Sequence, residues 1–213
     1  MRVLVAELGE PETTRRFRLL LGRLGVRVDH VRGKSVPPDA SPYDGIIVGG
    51  SPHGVYEGEP WMKRLADWAL AAADANKPVL GVCFGHQLLG WALGAIVEKN
   101  PKGRERGTCF VDLTDEGAVD PLFQDLPRRF EVQQTHGDHL ASPPTAAGTV
   151  RLAGSDHTPW QSFRCRNVTG VQFHPEIDRE LLTMLTKREG AEADVRDAPL
   201  QERVLANWAR MLG

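Results

Sequence analysis

Residues 78–87, which read PVLGVCFGHQ, constrain the fold of this chain more than any other segment. A short apolar run passes through Gly81, Cys83 and Gly85 and continues into a stretch whose Leu88 and Leu89 share one helical face. This pattern predicts a buried strand that turns sharply into a helix, with a cysteine at the turn. Glycines suit both flanking positions, because a side chain there would crowd the backbone that crosses over it.

Cys83 is therefore a candidate nucleophile. We expect a strained backbone at this residue, with the sulfur exposed at the N-terminus of the following helix. The partial positive charge of a helix N-terminus favours the thiolate over the thiol. The alternative is an unreactive core cysteine followed by an ordinary helix, because free cysteine is among the most buried residue types.

The composition indicates an ordinary globular protein. A quarter of the 213 residues are charged, and the formal net charge is −2, so nothing indicates a nucleic-acid partner. No span is long and apolar enough for a membrane helix or a signal peptide, so a cytoplasmic location is expected. The three cysteines are odd in number and widely spaced, so neither a disulfide framework nor a zinc site is predicted. No other metal and no cofactor is expected.

Apolar runs along the chain predict the fold class. Up to the helix after Cys83, strands alternate with helices of ten or more residues, which predicts βαβ units and parallel pairing. Later runs are shorter and linked by turns, as in antiparallel strands, before helices over 179–188 and 200–212. Residues 34–42 are predicted to be a loop and 189–199 a mobile linker. We predict one α/β domain over residues 1–213, a doubly wound, flavodoxin-like, mixed and mostly parallel sheet flanked by helices.

A second constellation lies at Gly170–Glu176, which reads GVQFHPE. In extended backbone, His174 and Glu176 would point to the same side, and Pro175 biases His174 toward that geometry. The carboxylate can then hold one imidazole nitrogen while the other faces outward, as the base and its orienting group do in a Cys-His-acid triad. A lone His-x-Glu is usually only a surface feature, but an upstream Gly-x-Cys-x-Gly makes the combination specific.

With the paired Gly49-Gly50 at the end of a predicted strand, these motifs resemble those of the class I (triad) glutamine amidotransferases. The resemblance covers nearly the whole chain. It is strongest to stand-alone members similar to the amidotransferase domain of GMP synthase. It implies hydrolysis of the glutamine side-chain amide to glutamate and ammonia through a γ-glutamyl thioester.

The family's functional residues carry over onto positions of this chain. By resemblance, Cys83 is the nucleophile, His174 the general base and acid, and Glu176 the group that orients His174. The backbone amides of Gly50 and Phe84 would form the oxyanion hole.

The resemblance also implies a substrate site. Gln87 would help to hold the glutamine, although a helix-capping or surface role is the alternative. Thr135, His136 and Gly137 match the segment whose main chain binds the α-amino and α-carboxyl groups, where the family usually has Ser-His. Asp138 could favour the α-ammonium by charge, or could simply be a turn carboxylate.

Several alternatives stay open. A γ-glutamyl peptide hydrolase would use the same site without ammonia transfer, and a partner-dependent, non-catalytic or regulatory subunit would keep only the fold. No ATP-binding loop is evident, so a synthetase or acceptor subunit would be a separate partner. Residues 102–107, KGRERG, read as a charged hairpin that could guide an anionic substrate. A cysteine α/β-hydrolase is disfavoured because its acid precedes its histidine in chain order.

Overall fold

The structure is a computed structural model that describes residues 1–32, 35 and 39–212. Residues 34 and 36–38 of the predicted loop over 34–42 lie outside this described part. No helix within it is both long enough and apolar enough to cross a bilayer.

Eleven strands are assigned in the described chain, and nine of them form one mixed sheet. Their bounds are β1 Arg2–Glu7, β2 Arg27–Arg32, β3 Gly45–Val48, β4 Val79–Val82, β5 Val97–Lys99, β6 Glu105–Leu113, β7 Arg129–His136, β8 Asp138–Leu140, β9 Thr149–Gly154, β10 Ser162–Cys165 and β11 Val168–Val171. The order across the large sheet is β2-β1-β3-β4-β11-β10-β9-β6-β7, and β5 pairs with β8 separately.

Six α-helices accompany these strands in the described chain. Their bounds are α1 Pro11–Gly22, α2 Pro60–Asp74, α3 Phe84–Ala92, α4 Asp115–Val119, α5 Arg179–Arg188 and α6 Glu202–Arg210. Proline begins α1 and α2, where its missing N–H costs no helical hydrogen bond. The Asp178 side chain caps α5 by accepting a hydrogen bond of 2.9 Å from the Leu181 amide.

The parallel half of the sheet brings distant parts of the chain to one edge. Strands β2, β1, β3, β4 and β11 run parallel in the flavodoxin-like order, so the predicted α/β class is confirmed. Val82 of β4 pairs with Val171 of β11. Residues that follow these two strands therefore meet at the carboxyl edge of the sheet.

Alternating side chains of the parallel strands build a core on each face. Val3 and Val5 of β1 face a cluster that includes Phe17 of α1 and Trp208 of α6. Leu4 of the same strand faces the opposite cluster, which contains apolar residues of α2 and α3. Helices therefore cover the sheet on both sides, as the strand pattern predicts.

The segment over 189–199 is held along β6, in contrast to the mobile linker predicted from its polar composition. The Thr108 amide donates to the Asp194 carbonyl over 2.8 Å, and the Arg196 amide donates to Thr108 Oγ1 over 2.7 Å. The Gln133 side chain donates to the Arg196 carbonyl over 2.8 Å. Because β6 pairs with β9 only near Leu113, this segment supplies partners to the rest of that strand edge.

Candidate active site

The turn between β4 and α3 has the predicted strand–turn–helix geometry. Cys83 has φ 54° and ψ −104°, a positive φ that few residues other than glycine adopt. A Cβ on Gly81 would lie 2.5 Å from the Gly85 carbonyl oxygen, and a Cβ on Gly85 would lie 1.9 Å from the Val48 carbonyl oxygen. Glycine is therefore required at both positions, because β3, β4 and α3 approach each other through their backbones.

His174 and Glu176 lie beside Cys83. His174 Nδ1 and Glu176 Oε1 are 2.8 Å apart, and the two residues are only 5% and 2% exposed. Gly50 lies between the two halves of the site, because a Cβ built there would be 3.3 Å from His174 Cε1 and 3.9 Å from Cys83 Cβ. The structure thus brings together all three residues of the predicted triad.

The surroundings of His174 favour its charged form. Burial alone lowers the pKa of His174, but the charges of Glu176 and Cys83 and their hydrogen bonds outweigh burial and raise it to about 10. An imidazolium at His174, beside Glu176 and the Cys83 sulfur, is the form that these surroundings stabilise. This arrangement places a proton donor next to a candidate nucleophile.

The two predicted oxyanion-hole residues flank the cysteine. Gly50 follows β3, which ends at Val48, and Phe84 is the first residue of α3. Amides in the first turn of a helix have no partner within the helix, so the Phe84 N–H is available to an acceptor from outside it. Both residues therefore adjoin Cys83, where amide donors would be needed to bind an oxyanion.

Cys83 is only 7% exposed, so it is less accessible than the exposed sulfur that the sequence predicted. It still lines a cleft of about 530 Å³, a volume typical of small-molecule sites. All four predicted substrate-binding residues line this cleft: Gln87, Thr135, His136 and Gly137. Asp138 lines it as well, and burial raises the pKa of this carboxyl. Tyr56 Oη is 3.5 Å from Asp138 Oδ1, so the segment after β3 meets the start of β8 at the cleft.

Gln87 is neither a cap nor a surface residue. It is 3% exposed, and its Nε2 donates to the Asp138 carbonyl over 2.9 Å and to Gln172 Oε1 over 3.1 Å. Both amide hydrogens are therefore used by the protein, and the amide oxygen is the atom left for a ligand.

The charged segment over 102–107 divides between the cleft and the interior. Arg104 lines the cleft and bonds to Glu189 Oε1 over 2.9 Å and to Thr135 Oγ1 over 3.3 Å. Glu105, part of the predicted charged hairpin, is only 6% exposed and accepts several hydrogen bonds. Period-two alternation back from Val111 and Leu113 of β6 would have predicted its inward direction.

His86, which follows the cysteine turn, is buried in α3 away from the cleft. Its ring centroid is 5.1 Å from that of Phe163, and neither ring nitrogen has a partner with good hydrogen-bond geometry among the described residues. Burial lowers the pKa of His86 to about 3, and the nearby backbone of Gly170 and Trp160 offsets this only in part. His86 therefore packs as a neutral side chain.

This burial predicts acid sensitivity. The unfolded chain binds a proton at His86 below about pH 6.5, whereas the folded chain does not until about pH 3. As the pH is lowered between those values, protonation of His86 in the unfolded chain should reduce the free energy of unfolding by up to about 1.4 kcal/mol per pH unit. We expect His86→Met to make that fall shallower in urea titrations between pH 7 and pH 4. His30→Gln, at an exposed histidine, is the control. An unchanged slope in His86→Met would contradict this assignment.

The fold and the cleft define an α/β protein that presents a cysteine, a histidine and a carboxylate at the carboxyl edge of its parallel strands. Residues 14–185 match the family model described as "Glutamine amidotransferase class-I". Because this match covers well over half of the sequence, the chain belongs to the class-I glutamine amidotransferases.

Individual relatives agree with this family. The chain is 38% identical over 161 residues to a GMP synthase [glutamine-hydrolyzing] of Thermomicrobium roseum, a match that covers 71% of this chain and 28% of that protein. It is 28% identical over 146 residues to Gamma-glutamyl peptidase 4 of Arabidopsis thaliana, covering 68% and 58%. A glutamine amidotransferase structure from Thermotoga maritima superposes with a TM-score of 0.82 at 22% identity, covering 100% and 98%. The chain spans about a quarter of the length of the GMP synthases that it matches.

Proposed function

We propose that this protein hydrolyses the side-chain amide of glutamine to glutamate and ammonia. The observation that carries the proposal is the buried His174–Glu176 pair beside Cys83, at the base of a cleft of small-molecule size. Family membership supports the same class of reaction. Metal ions and cofactors play no part in this mechanism.

The chemistry proceeds by acyl transfer. The Cys83 thiolate attacks the amide carbon of the substrate, and the amides of Gly50 and Phe84 bind the oxyanion that forms. His174 gives its proton to the departing ammonia, which leaves a γ-glutamyl thioester on Cys83. His174 then takes a proton from water, which attacks the thioester and releases glutamate. Glu176 keeps the His174 ring oriented through both steps.

The lining of the cleft supports a glutamyl ligand. The Asp138 carboxylate offers a partner for an α-ammonium group, and the main chain of Thr135, His136 and Gly137 would bind the α-amino and α-carboxyl groups. The free amide oxygen of Gln87 faces the same space. Arg104, at the side of the cleft, adds positive charge near the expected α-carboxylate.

A γ-glutamyl peptide is the second candidate substrate. The Arabidopsis relative is named as a γ-glutamyl peptidase, and it shares 28% of residues over most of this chain. The thioester chemistry would be unchanged, because only the group that leaves from the γ-carbonyl differs. The cleft would then have to hold that leaving group as well.

A synthetase or acceptor partner is a further proposal. The Thermomicrobium relative is more than three times longer than its matched region, so that protein contains much chain that this one does not match. Ammonia made here would then be passed to a separate subunit. We also propose that residues 1–213 form one amidotransferase domain, because β1 and α6 pack in the same core as the matched segment.

A substrate panel tests the proposal. The purified chain is incubated separately with glutamine, a γ-glutamyl dipeptide and asparagine, and the release of ammonia and of the free acid is measured. Acid quenching followed by peptide mass spectrometry tests for a glutamyl adduct on Cys83. We expect turnover of glutamine and none of asparagine, which is one methylene shorter. Turnover of the dipeptide alone would favour the peptidase, and no turnover of either would contradict self-sufficient hydrolysis.

Glu176→Gln should slow the reaction without unfolding the site. The amide keeps the shape of the carboxylate but removes the charge that stabilises imidazolium at His174. We expect kcat for glutamine to fall about 10²-fold, with a much smaller change in KM. Steady-state kinetics measure this split. A kcat within twofold of the wild type would show that Glu176 does not act through His174.

A further inference from the structure

We propose that Glu105 is a positioning residue that holds His136 as an imidazolium and thereby fixes the segment against which the substrate's α-amino and α-carboxyl groups bind. The identity of the ligand in this inference rests on the proposed function, whereas the hydrogen bonds around Glu105 are independent of that function.

Glu105 is a buried carboxylate with converging donors. One oxygen, Oε2, is 2.9 Å from His136 Nε2, 2.8 Å from Gln161 Nε2 and 3.1 Å from Thr158 Oγ1. Burial alone raises the pKa of Glu105, but the hydrogen bond and charge of His136, the charge of His157 and the Thr158 hydrogen bond lower it below its usual value. His157 Nδ1 lies 3.5 Å from the same oxygen. Glu105 therefore carries its negative charge inside the protein.

His136 faces an acceptor at each ring nitrogen. Nε2 meets the Glu105 carboxylate, and Nδ1 is 2.9 Å from the Asp138 carbonyl oxygen. A carbonyl oxygen and an ionised carboxylate can accept hydrogen bonds but cannot donate them. A neutral imidazole has one N–H and would leave one of these contacts unmade, whereas an imidazolium makes both. Glu105 and His136 thus form a buried ion pair directly beneath the cleft.

The Asp138 carbonyl connects this pair to the rest of the site. It accepts from His136 and also from Gln87 Nε2, whose other hydrogen goes to Gln172 Oε1. The backbone amide of Gln172 donates to the backbone carbonyl of Gln161 over 2.8 Å, and the Gln161 side chain donates to Glu105. These hydrogen bonds form a closed ring. The ring joins the cleft-lining turn at Gly137 to α3 and to the chain just before His174.

Removing the charge should therefore act on binding more than on chemistry. Glu105 contacts the substrate segment through His136, while Cys83, His174 and Glu176 form their own contacts beside it. In Glu105→Gln, the amide oxygen must take the place of Oε2, because Gln161 Nε2 and Thr158 Oγ1 donate there. It then accepts from His136 Nε2–H, and a neutral ring faces the Asp138 carbonyl with an unprotonated Nδ1, so that contact is lost. The binding segment loosens while the triad stays in place.

The test compares Glu105→Gln with Asp120→Asn. Asp120 is another buried carboxylate, and it pairs with Arg164 at a distance of 2.5 Å, away from the cleft. For each variant we would measure kcat and KM for glutamine, the rate of Cys83 alkylation by iodoacetamide, and the stability in urea. Nitrogen-15 NMR of the His136 ring at pH 7.5 reports whether both nitrogens carry protons, and it does not require turnover.

We expect Glu105→Gln to raise KM about tenfold while kcat and alkylation change less than about threefold, and His136 to lose one ring proton. Asp120→Asn should lower stability and leave KM and His136 unchanged. An unchanged KM, or a His136 that stays doubly protonated in Glu105→Gln, would overturn the inference. So would parallel losses of kcat, alkylation and stability, which would mean a general structural role. A wild type without turnover would instead contradict the proposed function, and the NMR result would still decide the ion pair.

Discussion

Cys83→Ala is expected to lower glutamine hydrolysis about 10⁴-fold or more, because the variant has no nucleophile to form the thioester. The remaining groups can still bind substrate and polarise its carbonyl, so glutamine affinity should change little. Coupled measurement of glutamate release gives the rate, and calorimetric titration with glutamine gives the affinity.

Cys109→Ser is the matched control for this prediction. Cys109 lies on β6, is partly buried and does not line the cleft, and burial raises the pKa of its thiol to about 11. Its removal should therefore leave hydrolysis and the rate of alkylation near wild-type values. Retention of more than a tenth of the activity in Cys83→Ala would mean that another group attacks the amide.

Gly85→Ala is expected to destabilise the fold by about 3 kcal/mol or more. The added methyl group would lie 1.9 Å from the Val48 carbonyl oxygen, and that atom belongs to the backbone of a central strand. No side-chain rotation can relieve the overlap, so β3 and α3 must separate. Urea denaturation measures the loss, and activity should fall with it because Gly50 follows β3 and Cys83 immediately precedes α3.

Gly22→Ala is the control for this prediction, because Gly22 also lies in a helix but has open space around it. Gly22 is exposed at the end of α1, and a Cβ there would meet nothing within 4 Å. We expect a gain of up to about 1 kcal/mol, because alanine loses less backbone entropy on entering a helix. Equal destabilisation by both substitutions would mean that the close approach at Gly85 does not determine the effect.

Most of the arrangement around Cys83 is predictable because its causes are local. Gly81 is required by the turn itself, whereas Gly85 is required because α3 approaches Val48 of β3. His174 and Glu176 are two positions apart, so their spacing places them together, although the backbone there forms a turn and not the predicted extended segment. Continuous apolar runs likewise predict most strands of the parallel half, because β3, β4 and β11 are buried on both faces. The family resemblance adds the expectation that the segments containing Gly50, Cys83 and His174 come together in one site.

Features that depend on distant partners are not predictable in this way. Strand β8 has three residues and exists through its pairing with β5, so no local pattern predicts it. Residues 189–199 read as a linker because they are polar, yet their backbone is bonded to Thr108 and Gln133. Glu105 looks like a surface charge until His136, Thr158 and Gln161 surround it. In each case the missing information is which other segment lies alongside.

The position of β11 has a consequence for how activity arises during synthesis. This strand lies between β4 and β10, although nearly half the chain separates it from β4. A ribosome releases β1, β3 and β4 long before β11, so Cys83 emerges before His174 and Glu176, which follow that strand. Contacts between such distant segments form late, because a long loop must close first. Under the proposed mechanism, the triad is therefore complete only after β11 has docked against β4.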